Sequence, residues 1–105
     1  MIKVTILYPN GPGSHFDADY YVNVHMPLAI ELLGTVLKGV SAEIGVAGAA
    51  ADQPPAFAAI CAFTCESLSA FNEAIQPHAS ALQGDIPNYT DIVPIIQISE
   101  LRLCR

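Results

Sequence analysis

The most constraining feature of this chain is the segment 56–65, which is apolar or small on both faces of a strand. Ala56, Ala58, Ile60 and Ala62 fall on one side, and Phe57, Ala59, Cys61, Phe63 and Cys65 on the other. A strand of this kind is covered on both faces. No other candidate strand is apolar on both sides throughout. Ile2, Val4, Ile6 and Tyr8 alternate with Lys3 and Thr5, and Val40, Ala42, Ile44 and Val46 alternate with Ser41, Glu43 and Gly45. A last strand is expected over about 93–103.

Two helical stretches separate the strands. The first starts near Asp17, whose short acidic side chain suits a helix cap. Tyr21, Val24, Leu28 and Leu32 form its expected buried stripe. Pro27 removes a backbone donor and disfavours helical angles at Met26, so a break or kink is expected at His25-Met26-Pro27. A second helical piece then runs from about 27 to 37. The other helix begins at Glu66-Ser67, carries Leu68, Phe71 and Ile75, and is interrupted by Pro77. The order β-α-β-β-α-β predicts one α+β domain over 1–105. It is a ferredoxin-like four-stranded antiparallel sheet with both helices on one face, the first and third strands central.

Nothing left in the chain covers the second face of the third strand. With 52% hydrophobic and 13% charged residues in 105, polar cover is thin for a domain of this size. A second copy is the simplest cover, so a homodimer is expected, with one cavity per subunit between helices and sheet.

Ten acidic residues against four basic ones, with no basic run, argue against nucleic acid. Acidic balance and the lack of an ~18-residue apolar stretch argue against a membrane. The first strand is too short for a signal sequence. Cys61 and Cys65 on one strand would lie ~13 Å apart, beyond the ~7 Å that a disulfide spans. Three reduced cysteines and a cytoplasmic location are therefore expected.

The candidate chemistry is histidine-centred. His25 lies on or beside the buried stripe and is suited to moving protons; the plainer reading has its ring satisfying a carbonyl freed by Pro27. His78 follows Pro77 at the equivalent break, where it either faces the same end of the sheet or sits on the surface. His15 lies in a Gly-Pro loop and is read as solvated. Asp85 is placed either to orient a histidine or, with Asn88, to hold its own turn. Tyr8, Tyr20, Tyr21 and Tyr89 supply phenols for a pocket wall or simply for packing. No dinucleotide, phosphate-loop, nucleophile-elbow or metal-ligand motif is present, so no cofactor and no metal are expected.

Val4-Thr5-Ile6-Leu7-Tyr8-Pro9, Phe16-Asp17-x-x-Tyr20-Tyr21-x-x-x-His25-Met26-Pro27-Leu28 and Gly84-Asp85-Ile86-Pro87-Asn88-Tyr89-Thr90 resemble the EthD family across nearly the whole chain. The resemblance implies a dimeric α+β barrel and an association with ether degradation, in which the founding member accompanies a cytochrome P450 system. Similar barrels include cofactor-free monooxygenases of aromatic polyketides, isomerases, dehydratases and haem proteins. The positions that match the family are Tyr21, His25, Pro27, Leu28, Asp85 and Asn88, with His78 fitting less closely. Together these imply His25, His78 and Asp85 as catalytic candidates and Tyr8, Tyr21, Leu28, Asn88 and Tyr89 as substrate-binding ones. The expected activity is oxidoreductase or monooxygenase-like, or related cofactor-independent chemistry, on a small apolar molecule. The alternatives are a non-catalytic binder supporting an oxidase and a haem protein.

Overall fold

Ile2, Val4, Ile6 and Tyr8 share one face of strand β1 (Ile2–Pro9), and that face meets the helices. The computed structural model describes residues 1–105. Its sheet has the order β2-β3-β1-β4, antiparallel throughout, with β2 at Gly39–Ile44, β3 at Phe57–Cys65 and β4 at Ile95–Glu100. β1 and β3 are central, as expected. β4 is shorter than the apolar run suggests, and Val93 and Leu103 beyond its ends are exposed.

Register decides which face of β3 is covered. Val4 pairs with Phe63, Ile6 with Cys61 and Tyr8 with Ala59, so Ala59, Cys61, Phe63 and Cys65 point towards the helices and join the core. The opposite face carries the row Ile60, Leu7 and Ile95, flanked by Ala58 and Ala62. No element of the chain lies over it; Ile95 is 55% exposed.

The first helical stretch runs without interruption from Ala18 to Leu33, through α1 (Ala18–Tyr20), a wide π turn (Tyr21–His25) and α2 (Met26–Leu33). Asp17 caps it, its carboxylate accepting from the Tyr20 amide at 3.1 Å. In place of the expected break or kink at His25-Met26-Pro27, the helix passes from the π turn into a new α segment at Met26. The Met26 amide donates to the Tyr21 carbonyl, five residues back. A wider turn gives the proline ring room that an α-turn denies it. It also changes which residues face inward. The buried positions are Tyr21, His25, Met26, Ala29 and Leu33, one step later than the expected Val24, Leu28 and Leu32. Val24 is exposed, and Leu28 and Leu32 are only half-buried against the core.

The second stretch begins at Ser67, whose hydroxyl accepts from the Ala70 amide at 3.1 Å. It comprises α3 (Leu68–Ile75), a 3-10 turn over Gln76–His78 at Pro77, and α4 (Ala79–Asp85). Phe71 seats this layer on Phe63 of β3, ring centroids 6.2 Å apart. The loop leading to β4 is tied to the approach to α1. Thr90 Oγ1 donates to the His15 carbonyl at 2.6 Å, the Asp17 amide donates to the Tyr89 carbonyl at 2.7 Å, and the His15 amide donates to Asp91 Oδ1 at 3.0 Å. These ties bring the end of α4 against the π turn.

Candidate functional site

At that junction Asp85 meets His25. His25 Nδ1 lies 2.9 Å from Asp85 Oδ2, while Asp85 Oδ1 accepts from the Tyr20 hydroxyl at 2.6 Å and from Asn88 Nδ2 at 3.0 Å. Partial burial pushes the Asp85 carboxyl up. The hydrogen bonds from Tyr20, Asn88 and His25 outweigh this and hold it below the usual carboxylate value. An ionised Asp85 can only accept, so Nδ1 carries the proton. Nε2 then becomes the free nitrogen of the neutral ring. It makes no hydrogen bond within the chain, and no polar side-chain atom of the protein is sealed off without a partner. Nε2 therefore opens onto the adjoining cavity.

That cavity has a volume of about 120 Å³ and lies between the helix layer and the sheet. His25, Tyr21, Met26 and Ala29 form one wall, and Ile6, Tyr8, Cys61 and Phe63 form the sheet side. α4 contributes Ala79, Leu82 and Gln83, and exposed Ile96 with Pro94 forms a rim beside β4. Twelve of its fifteen lining residues are hydrophobic, and none is Lys or Arg.

The phenols are arranged around the histidine. Tyr21 stacks on His25, ring centroids 5.7 Å apart at 14°, and Tyr89 leans against its edge at 4.7 Å. The Tyr8 and Tyr89 hydroxyls are 2.7 Å apart. Burial raises the pKa of Tyr8, Tyr21 and Tyr89, and it pushes the Cys61 thiol up to about 11. All four groups stay neutral at physiological pH, so the thiol is a wall and not a nucleophile.

The candidates from sequence thus separate. His25, Tyr8 and Tyr21 line the cavity. Asp85 and Asn88 stand behind His25, and Tyr89 packs on its ring. His78 is half-buried in the 3-10 turn and lies outside the cavity lining, where its neighbour Ala79 takes part. Leu28 packs against the core and not the cavity. Tyr20, the shortest donor to Asp85, enters the sequence reading only as a phenol for a pocket wall or for packing, not as a partner of Asp85. Its place at the start of a helix looks like packing until Asp85 is known to be opposite.

The sheet order and the one-sided helix layer define a ferredoxin-like α+β domain. The EthD domain model matches residues 15–92, and the chain belongs to the EthD domain family. An EthD-like protein of Ralstonia eutropha JMP134 is 45% identical, with a TM-score of 0.95 over 99% of this chain and 94% of that one. An ethyl tert-butyl ether (EthD) family protein of Bacillus halodurans C-125 is 19% identical, with a TM-score of 0.72 over 95% and 97% of the two chains. A protein of Arabidopsis thaliana is 16% identical, with a TM-score of 0.68 over 100% and 99%. These last two share the fold. No curated protein matches the chain.

Proposed function

We propose that this chain is a cofactor-independent enzyme acting on a small, mostly apolar molecule, with His25 Nε2 as the group that moves a proton. The observation that carries this is a histidine 8% exposed, backed by Asp85, with its second nitrogen open to an apolar cavity. A carboxylate holding the far nitrogen protonated is the arrangement that makes the near one a proton acceptor. The apolar walls exclude water, which strengthens a proton transfer's electrostatics. Oxidoreductase or monooxygenase-like turnover in ether or aromatic catabolism is the setting that the family resemblance supports, and the three cysteines read as reduced support a cytoplasmic location. Turnover of a candidate substrate should fall by about a hundredfold or more in His25→Ala. Unchanged turnover in that variant would sink the mechanism.

A second reading is a non-catalytic carrier supporting an oxidase. It is favoured by the neutral state of every phenol and of Cys61 around the cavity.

The assembly is a homodimer that buries the Ile60, Leu7 and Ile95 row. A central strand with half-buried Ala58 and Ile60 on an open face supports this. Such a row gains roughly 25 cal/mol for each Å² of apolar surface removed from water.

A further inference from the structure

The polarity of the cavity specifies its ligand more narrowly than its size does. This step rests on the reading of the cavity as the functional site. In the neutral ring, Nδ1 is committed to Asp85 Oδ2 at 2.9 Å, so Nε2 offers a lone pair and no proton. Only a molecule that brings its own donor can satisfy it. An ether or a ketone offers acceptors alone and would leave a desolvated nitrogen unpaired, which is costly, so of the ether and aromatic settings proposed above the cavity favours the aromatic one.

Charge narrows the class further. No Lys or Arg lines the cavity, and the ionised Asp85 stands directly behind His25. A carboxylate or phosphate ligand would lose its hydration, meet no cation and feel the repulsion of Asp85. An ammonium group would bring donors, but the lining offers it only Nε2, the Gln83 amide and the Tyr8 and Tyr21 hydroxyls, too few acceptors to replace a full water shell. Size sets the last limit. A dry, apolar protein cavity of ~150 Å³ accommodates a benzene ring, and this one is about 120 Å³ with an exposed rim at Ile96.

We infer that the cavity takes an uncharged molecule of about one ring carrying a hydroxyl group, of the phenol class, whose O–H donates to His25 Nε2. The ring lies among Met26, Phe63 and Leu82, and Asp85 holds the histidine in the accepting tautomer.

The test compares three probes on the intact protein at neutral pH by calorimetry or ligand-observed NMR: phenol, toluene and benzoate. Toluene replaces the hydroxyl by a methyl of nearly the same size, and benzoate is an anion. Phenol is expected to bind about tenfold or more tightly than toluene, and benzoate to show no binding where phenol saturates. In His25→Leu the preference for phenol over toluene should vanish while toluene is still held. Equal binding of phenol and toluene by the wild-type protein would overturn the donor requirement and leave the cavity as a site. Benzoate binding as tightly as phenol would overturn the exclusion of anions. Failure of all three probes would overturn this inference together with the reading of the cavity as the functional site.

Discussion

The Tyr20 hydroxyl donates to Asp85 Oδ1 at 2.6 Å, joining the start of the first helix to the end of the last across 65 positions of sequence. With Asn88 on the same oxygen, it leaves Oδ2 for His25 alone. Tyr20→Phe should keep the fold and raise the Asp85 pKa towards the ordinary carboxylate value, read from the carboxyl carbon shift by NMR. Because burial raises that pKa and the hydrogen bonds lower it further, the folded carboxyl sits below its unfolded value. The stability it supplies is present above the unfolded pKa and is lost as pH falls through the folded one. In Tyr20→Phe that loss should be smaller and complete at a higher pH, because the folded pKa moves up towards the unfolded one. An unshifted Asp85 titration would show that Tyr20 merely packs there.

The Tyr8–Tyr89 pair predicts a measurable coupling. Both rings are almost fully buried and their hydroxyls are 2.7 Å apart. Removing either hydroxyl strands the other, at about 1–2 kcal/mol. For a domain of this size that is a fall in Tm of roughly 5–15 °C. The double variant Tyr8→Phe, Tyr89→Phe should cost less than the sum of the single changes. Strict additivity in denaturant melts would count against a direct hydrogen bond.

Alkaline pH should destabilise the protein between about pH 9 and 11. Burial raises the Cys61 thiol from 9.0 to about 11 and raises Tyr8, Tyr21 and Tyr89 as well. Above pH 9 the unfolded chain loses these protons and the folded chain keeps them, so stability falls as pH rises. A two-unit shift at Cys61 corresponds to about 2 kcal/mol by pH 11. Cys61→Ala should flatten the decline in Tm between pH 9 and 11. A flat profile in the wild-type protein would contradict the burial of these groups.

Gly45 predicts a backbone clash. A Cβ there would stand 2.2 Å from the Phe57 carbonyl oxygen, and the Gly45 amide already donates to the Ala58 carbonyl at 2.9 Å. Gly45→Ala must push β2 away from β3, at a cost of about 2 kcal/mol or more. Thermal unfolding measures it directly.

The proposed dimer is checked by placing charge on the open sheet face. Ile60→Lys should yield a monomer by analytical ultracentrifugation, with its circular dichroism unchanged if the helix-side core stands by itself. A wild-type monomer at micromolar concentration would remove the dimer.

Much of the fold could be read from alternation. Ile2 to Tyr8 and the two-faced 56–65 segment place β1 and β3 at the centre, and Asp17 and Ser67 mark the helix starts. The phase of the first helix could not. Periodicity assumes a constant turn, and the π turn before Pro27 breaks that assumption, so Val24 was expected inside where His25 lies. Asp85 is legible as a possible partner for a histidine because it flanks Pro87 before the last strand and carboxylates commonly orient histidine rings. Its actual meeting with His25 depends on ties such as Thr90 to the His15 carbonyl, which join segments 75 residues apart. Met26, Cys61 and Phe63 could not be told from ordinary core, since a cavity wall and a packed interior use the same side chains.

The π turn also bears on how relatives of this chain are compared. A wide turn holds one residue more than an α-turn, so aligning this helix with a regular one requires a gap between positions 21 and 25. Without that gap, an alignment would set Val24 opposite the cavity-facing position of the other chain. A search for the shared proton-moving residue would then conclude that the histidine is missing when it is only out of step.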